Sequence, residues 1–240
     1  MIGFFVLNGK NSRDFNIFCK GSAVYSSPAR SVEHAEIPGR SGDIILDSGR
    51  YENIDLSYSC SILDNFDKSM REFRTFYASN VGKYVRLEDT YNPDEFRLVS
   101  CINGIEVEAE HPNSGAPYRA GNFTVSFSAM PQRFLKSGEY KKQYVSGAKI
   151  NNPSYLSSKP LIYVFTAGTY EIGNYSFEVL SMGGMDCIVL DSETENVYTP
   201  DGVNMNKNVS ILNFPVLPSG VTNLTFDAEK IEIVPRWFFL

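Results

Sequence analysis

The sequence predicts a mainly β protein in two parts: an N-terminal β-sheet domain carrying one helix, followed by a C-terminal β-sandwich. Three observations carry that prediction. Aromatic residues fill 13% of the 240 positions, with 17 Phe and 14 Tyr against one Trp, a usage suited to pleated, half-buried surfaces. Ile54, Leu56, Tyr58, Cys60 and Ile62 alternate strictly with Asp55, Ser57, Ser59 and Ser61, the period of a half-buried antiparallel strand. In the second half, short strand-like runs recur every 8–12 residues or so with turn residues between them, the spacing a sandwich gives.

Taken in order, Met1 to Leu7 reads as a first strand ending in the Asn8-Gly9 turn. Tyr51 to Ile62 is the alternating strand. The period then changes. Phe66, Met70, Phe73 and Phe76 or Tyr77 recur at steps of three and four, which predicts a helix from Asp64 to Ala78. Asp64 or Asn65 would cap it, Gly82 follows its end, and Lys68, Arg71 and Arg74 take the side away from the sheet. Strands at Tyr84–Glu88 and Phe96–Ile102 flank a turn at Tyr91-Asn92-Pro93-Asp94. Ile105, Val107 and Ala109 alternate with Glu106, Glu108 and Glu110. Phe123, Val125, Phe127 and Ala129 alternate with Thr124, Ser126 and Ser128, after a loop from His111 to Gly121.

Met130 to Phe134 closes this set, and the polar, basic stretch Lys136 to Gln143 reads as a linker. The expected domains are therefore 1–136 and 137–240. The second should hold strands at Leu161–Phe165, Tyr170–Ile172, Tyr175–Leu180, Cys187–Leu190, Asn196–Tyr198, Val221–Phe226 and Ile231–Val234.

Charge and cysteine usage narrow the function. A net charge of −6 and a pI near 5.1 argue against phosphate-neutralising nucleic-acid binding and against a basic patch on an anionic membrane. No run approaches the ~18 apolar residues of a membrane helix. The apolar start lacks a basic region and is cut short by Asn8-Gly9-Lys10, so the expectation is a protein made and kept in a cytoplasm. Cys19, Cys60, Cys101 and Cys187 form no CxxC pair and read as reduced core thiols rather than a disulfide framework. His34 and His111 have no Cys or carboxylate at ligand spacing, so neither metal nor cofactor is expected.

Three glutamates on one strand face, Glu106, Glu108 and Glu110, stand about 7 Å apart and would permit the paired carboxylates of glycoside hydrolysis. Nothing else supports that chemistry, and a solvated strand face is the stronger reading. Asp186, Asp191 and Glu193 evoke a calcium site, but Cys187 to Leu190 between them reads as plain strand. With no P-loop, GxSxG or supported nucleophile pair, an enzyme is not expected.

Several stretches, in order along nearly the whole chain, resemble the distal tail proteins of long-tailed phages that infect Gram-positive bacteria. They are Ile37-Pro38-Gly39-Arg40-Ser41-Gly42-Asp43-Ile44 with Gly49-Arg50-Tyr51-Glu52-Asn53; Gly82 to Tyr91 running into Pro93, Phe96 and Arg97; Phe127 to Phe134; Asn151-Asn152-Pro153 before Lys159-Pro160-Leu161-Ile162; Ile188 to Glu193; Asn213 to Gly220; and Ile233-Val234-Pro235-Arg236-Trp237.

The resemblance implies a tail-tube-like N-terminal domain closing into a sixfold ring, with a galectin-like sandwich projecting from it. It implies a hub at the virion tail tip that joins the tail tube above to a tail-tip protein below, with receptor-binding proteins as further candidate partners. DNA would pass through the ring without sequence-specific contact, and no membrane insertion is implied. Arg40 and Asp43 then become candidates for contacts between subunits or rings, although a plain glycine hairpin explains their loop equally well. Lys68, Arg71 and Arg74 are weaker interface candidates. Glu106, Glu108 and Glu110 become candidates for the lumen. The galectin likeness raises one alternative, a carbohydrate-binding module. Trp237, the only tryptophan, would be its stacking ring, but its place beside Phe238 and Phe239 favours a packing or subunit anchor.

Overall fold

The computed structural model describes residues 3–21, 26–102, 104–109 and 120–240, with the backbone alone at Glu108 and Ala109. The chain divides into two compact units, Met1–Arg133 with Leu240, and Phe134–Phe239.

The first unit contains β1 (Phe5–Leu7), β2 (Lys10–Asn11), β3 (Ile17–Cys19), β4 (Arg30–Ala35), β5 (Ile44–Tyr51), β6 (Ile54–Ile62), helix α1 (Phe66–Ala78), β7 (Val85–Asp89), β8 (Glu95–Cys101), β9 (Val107–Ala109) and most of β10 (Gly121–Leu135). Its main sheet runs in the order β2-β1-β7-β8-β10-β6-β3, with β9 also paired to β10. The Asn8-Gly9 turn joins β1 to β2 with both residues at positive φ, 47° and 78°, as a two-residue hairpin of this hand requires.

The alternation of β6 and β10 is realised directly. Ile54, Tyr58, Cys60 and Ile62 point inward beside Phe123, Val125, Phe127 and Ala129. Their opposite face is hydroxyl-rich, with the Ser57 and Ser126 hydroxyls 3.0 Å apart and Asn53 donating to Ser128 Oγ at 3.0 Å. Helix α1 lays Phe66, Met70, Phe73 and Tyr77 on the inner face, the stripe its spacing predicts. Its cap differs from expectation. Asn65 is left-handed (φ 51°, ψ 43°) and makes no side-chain cap bond; its amide donates instead to Asp64 Oδ2 at 2.9 Å.

The closing segment Met130 to Phe134 is itself part of β10, which continues through Pro131 to Leu135. Pairing with β6 stops at Ala129, so the missing N–H of Pro131 removes no bond from that ladder.

The second unit begins with the end of β10. The stretch expected as a linker is folded: Lys136–Gly138 is a single 3-10 turn, and β11 (Lys142–Tyr144) is an edge strand. The other strands are β12 (Lys149–Asn152), β13 (Leu161–Val164), β14 (Gly168–Ile172), β15 (Tyr175–Val179), β16 (Ile188–Asp191), β17 (Asn196–Tyr198), β18 (Val209–Ile211), β19 (Gly220–Phe226), β20 (Ile231–Val234) and β21 (Phe238–Phe239). Two five-stranded sheets, β11-β20-β13-β16-β17 and β12-β19-β14-β15-β18, share one core. Ile162, Leu190 and Ile233 face it from the first sheet, and Tyr170, Ile172 and Leu224 from the second. This is a β-sandwich.

Candidate assembly surface

The most exposed large apolar side chain described in the first unit, Ile45, lies with Leu46 and Val32 on β4 and β5, which form a two-stranded sheet of their own. Their tip carries the sequence-predicted loop. Gly39 (φ 84°) and Gly42 (φ 83°) supply its left-handed turns, and the Arg40 N–H donates to Ile37 O at 3.1 Å. The register pairs Ala35 with Ile44, His34 with Ile45, Glu33 with Leu46 and Val32 with Asp47. Successive strand residues point to opposite faces, so Val32 and Ile45 share one face and Leu46 takes the other. Ile45 is 63% exposed and Leu46 is 51% exposed, which means that neither face of this arm is covered.

Polar contacts fix the arm's backbone. Arg30 donates to both oxygens of Asp47, with its Nη2 at 2.7 Å, and lies over the Tyr51 ring at 4.6 Å. These bonds to Asp47 and Tyr51 raise the Arg30 pKa, and the same Arg30 bond, followed by the Gly49 N–H, lowers that of Asp47. Ser48 Oγ donates to Ser31 O at 2.7 Å. Asp43 does not pair with Arg40; its carboxylate stands 3.8 Å from His34 Nδ1. Among the described residues Arg40 has no ion-pair partner and is exposed at the tip.

The outer side of α1 is less free than its charges suggest. Arg74 donates to Ile105 O at 3.1 Å, and Lys68 stands 4.0 Å from Glu72. Arg71 separates two open grooves of about 450 and 460 Å³. Phe66, Met70 and Val107 line one, and Phe15 and Phe76 line the other.

The acidic strand starts later than expected. β9 (Val107–Ala109) leaves Glu106 before it as an exposed residue and contains Glu108, while Glu110 and His111 lie outside the described residues. Trp237 is 6% exposed within the sandwich core, with its carbonyl accepting from the Leu135 N–H at 2.9 Å. Of the two anchor readings the sequence offered, packing and subunit contact, this burial is the packing one within the single chain. Asp191 belongs to no calcium cluster; it receives Arg236 Nη1 at 2.6 Å, and among the described residues no group of three metal-ligating side chains forms. In the first unit, Tyr58 donates to Asp89 Oδ2 at 2.7 Å, and burial, followed by the Asp89 charge, pushes the phenol's pKa well up.

The apolar exposure of β5 went unread at the sequence level. Its signal is Ile44-Ile45-Leu46, three consecutive apolar residues in a two-stranded element, which forces apolar groups onto both faces.

Fold and surface together define a mainly β protein of sheet-and-helix unit plus sandwich, with an arm in the first unit that exposes apolar groups on both faces. No family model and no curated protein sequence matches the chain. Among solved structures, the crystal structure of SPP1 Dit (gp 19.1), described as a paradigm of the hub adsorption apparatus in phages infecting Gram-positive bacteria, aligns over 100% of both chains. The TM-score is 0.71 and the identity 13%. The chain has the fold of that hub protein, as the resemblance of its sequence motifs implied.

Proposed function

We propose that this chain is a distal tail protein, a structural component of a long-tailed phage. Six copies close into a hub ring between the tail tube and a tail-tip protein, at the tip of the virion, after synthesis in the host cytoplasm. The observation that carries this reading is the arm with apolar groups on both faces. A two-stranded hairpin is marginal by itself in water, and bare Ile and Leu on opposite faces gain burial only when neighbours cover both. Full-length likeness in fold to a phage hub protein supports the same reading.

In this account Arg40 and Asp43 at the arm's tip reach the adjacent subunit or ring, where their charges pair with groups on it. Lys68 and Arg71 on α1 are secondary contacts. Cyclic closure covers strand edges that a lone β domain would leave open. The ring carries six times −6, or −36 charges, which discourages retention of a duplex passing through it. Glu106, Glu108 and Glu110 remain the proposed lumen candidates.

The alternative, a carbohydrate-binding module, loses its stacking ring with the burial of Trp237. Negative-stain images of the purified chain test the proposal together with a glycan array. Sixfold rings with a central opening and no glycan signal are expected. Monomeric particles with a reproducible glycan signal would replace the hub by the adhesion module.

A further inference from the structure

Cys19 and Cys60 sit directly opposite each other on β3 and β6, with their sulfurs 3.9 Å apart. The Cys19 N–H donates to Gly3 O at 2.8 Å and the Gly3 N–H to Cys19 O at 3.1 Å, so the backbone groups of Cys19 point away from β6. The pair is thus a non-hydrogen-bonded one, the closer of the two kinds of site on an antiparallel ladder. Cβ atoms at such sites stand about 4.5–5.5 Å apart, and a disulfide needs about 3.5–4.5 Å. Closing the gap takes a small rotation of the two thiols and a slight pinch of the strands. The movement asked of β3 is small, because it pairs with β6 over only three residues and is bridged on its other side by Gly3 alone.

We propose that Cys19 and Cys60 are an oxidisable pair that forms a reversible cross-strand disulfide on exposure to a hydroperoxide. One sulfur attacks the peroxide, the O–O bond breaks, and a sulfenic acid and water result. The second sulfur then attacks the sulfenic sulfur, the S–O bond breaks, and water leaves with the second thiol's proton. Two thiols lose two electrons in all, and hydrogen peroxide is reduced to two waters.

Both thiols are buried, and a Cys19 hydrogen bond followed by burial raises the Cys60 pKa, so the reaction proceeds through brief fraying of β3 and is slow. The loop it closes, residues 20–59, contains the whole β4–β5 arm. Its effect is to pin both ends of the segment from which the arm projects. Cys101 and Cys187 have no such partner, and burial raises both, Cys101 to about 11.

The test treats the folded full chain with hydrogen peroxide, then measures intact mass and maps peptides. A loss of about 2 Da, a Cys19–Cys60 linked peptide, recovery with dithiothreitol and a melting temperature higher by roughly 10 °C are expected. Addition of oxygen to Cys19 or Cys60 without a link would overturn the proposal. So would two thiols that stay fully alkylatable on unfolding after prolonged treatment. The linked peptide must disappear in Cys19→Ser and in Cys60→Ser, and a −2 Da product that persists in either variant counts against this pairing.

Discussion

Arg236 and Asp191 form a two-point pair in the sandwich, with Nη1 donating to Oδ1 at 2.6 Å and Nη2 to Oδ2 at 3.3 Å. The Glu193 N–H and the Tyr198 hydroxyl also donate to this carboxylate. Burial alone would raise the Asp191 pKa, but the Arg236 bond and the backbone donors outweigh it and the net shift is downward.

A depressed folded pKa contributes stability that is fully present above the unfolded value, near 4, and is lost as pH falls through the folded value. Urea unfolding of the wild type should therefore weaken more between about pH 5 and pH 2 than that of Asp191→Asn. At neutral pH that variant should cost about 2 kcal/mol, less than a fully buried pair because Arg236 is partly exposed. Parallel pH profiles for the two proteins would remove Asp191 from the account.

Gly138 is required by space rather than by backbone angle. A Cβ there would collide with the Trp237 backbone nitrogen. The same segment is held by the Arg236 N–H donating to Gly138 O at 2.8 Å. Gly138→Ala should cost roughly 2 kcal/mol or more and change the fluorescence of the single tryptophan. Unchanged emission and an unchanged urea midpoint would show that the contact is not a close one.

Phe73 is the centre of the first core, with ring centroids of Phe15 at 5.6 Å, Tyr77 and Phe123 at 6.1 Å, and Phe5 at 6.2 Å. Phe73→Ala should destabilise by about 4 kcal/mol, since four aromatic neighbours cannot all collapse into the space. A loss below about 1 kcal/mol would mean that α1 packs elsewhere.

The legible elements were those where one face meets a core and the other meets water. Period two in β6 and period 3.6 in α1 survive because a single buried face writes them into the sequence. β3, β12 and β18 were not read, while the equally short β13 and β16 were marked by unbroken apolar runs, Leu161–Val164 and Ile188–Leu190. Lys142–Tyr144 read as linker because an edge strand can be polar and still supply ladder bonds to β20. At the candidate surface, Arg40 and Asp43 were placed correctly on a glycine hairpin, but the arm's apolar faces were not foreseen. Burial against another chain leaves the same apolar residues in the sequence as burial in a core. The glutamate alternation predicts a strand from Ile105, whereas the described pairing with β10 starts at Val107, so Ile105 and Glu106 stand outside it.

Light scattering of the wild type beside the double substitution Ile45→Asp with Leu46→Asp tests the hub account most directly. The account predicts a wild-type mass near 161 kDa, six times 26.9 kDa, and a variant that melts at the same temperature as an isolated chain but weighs 26.9 kDa. The arm is exposed on both faces in the single chain, so charges there cost the monomer little. A variant that still assembles at 161 kDa, or a wild type that stays at 26.9 kDa at every concentration, would contradict ring closure through the arm.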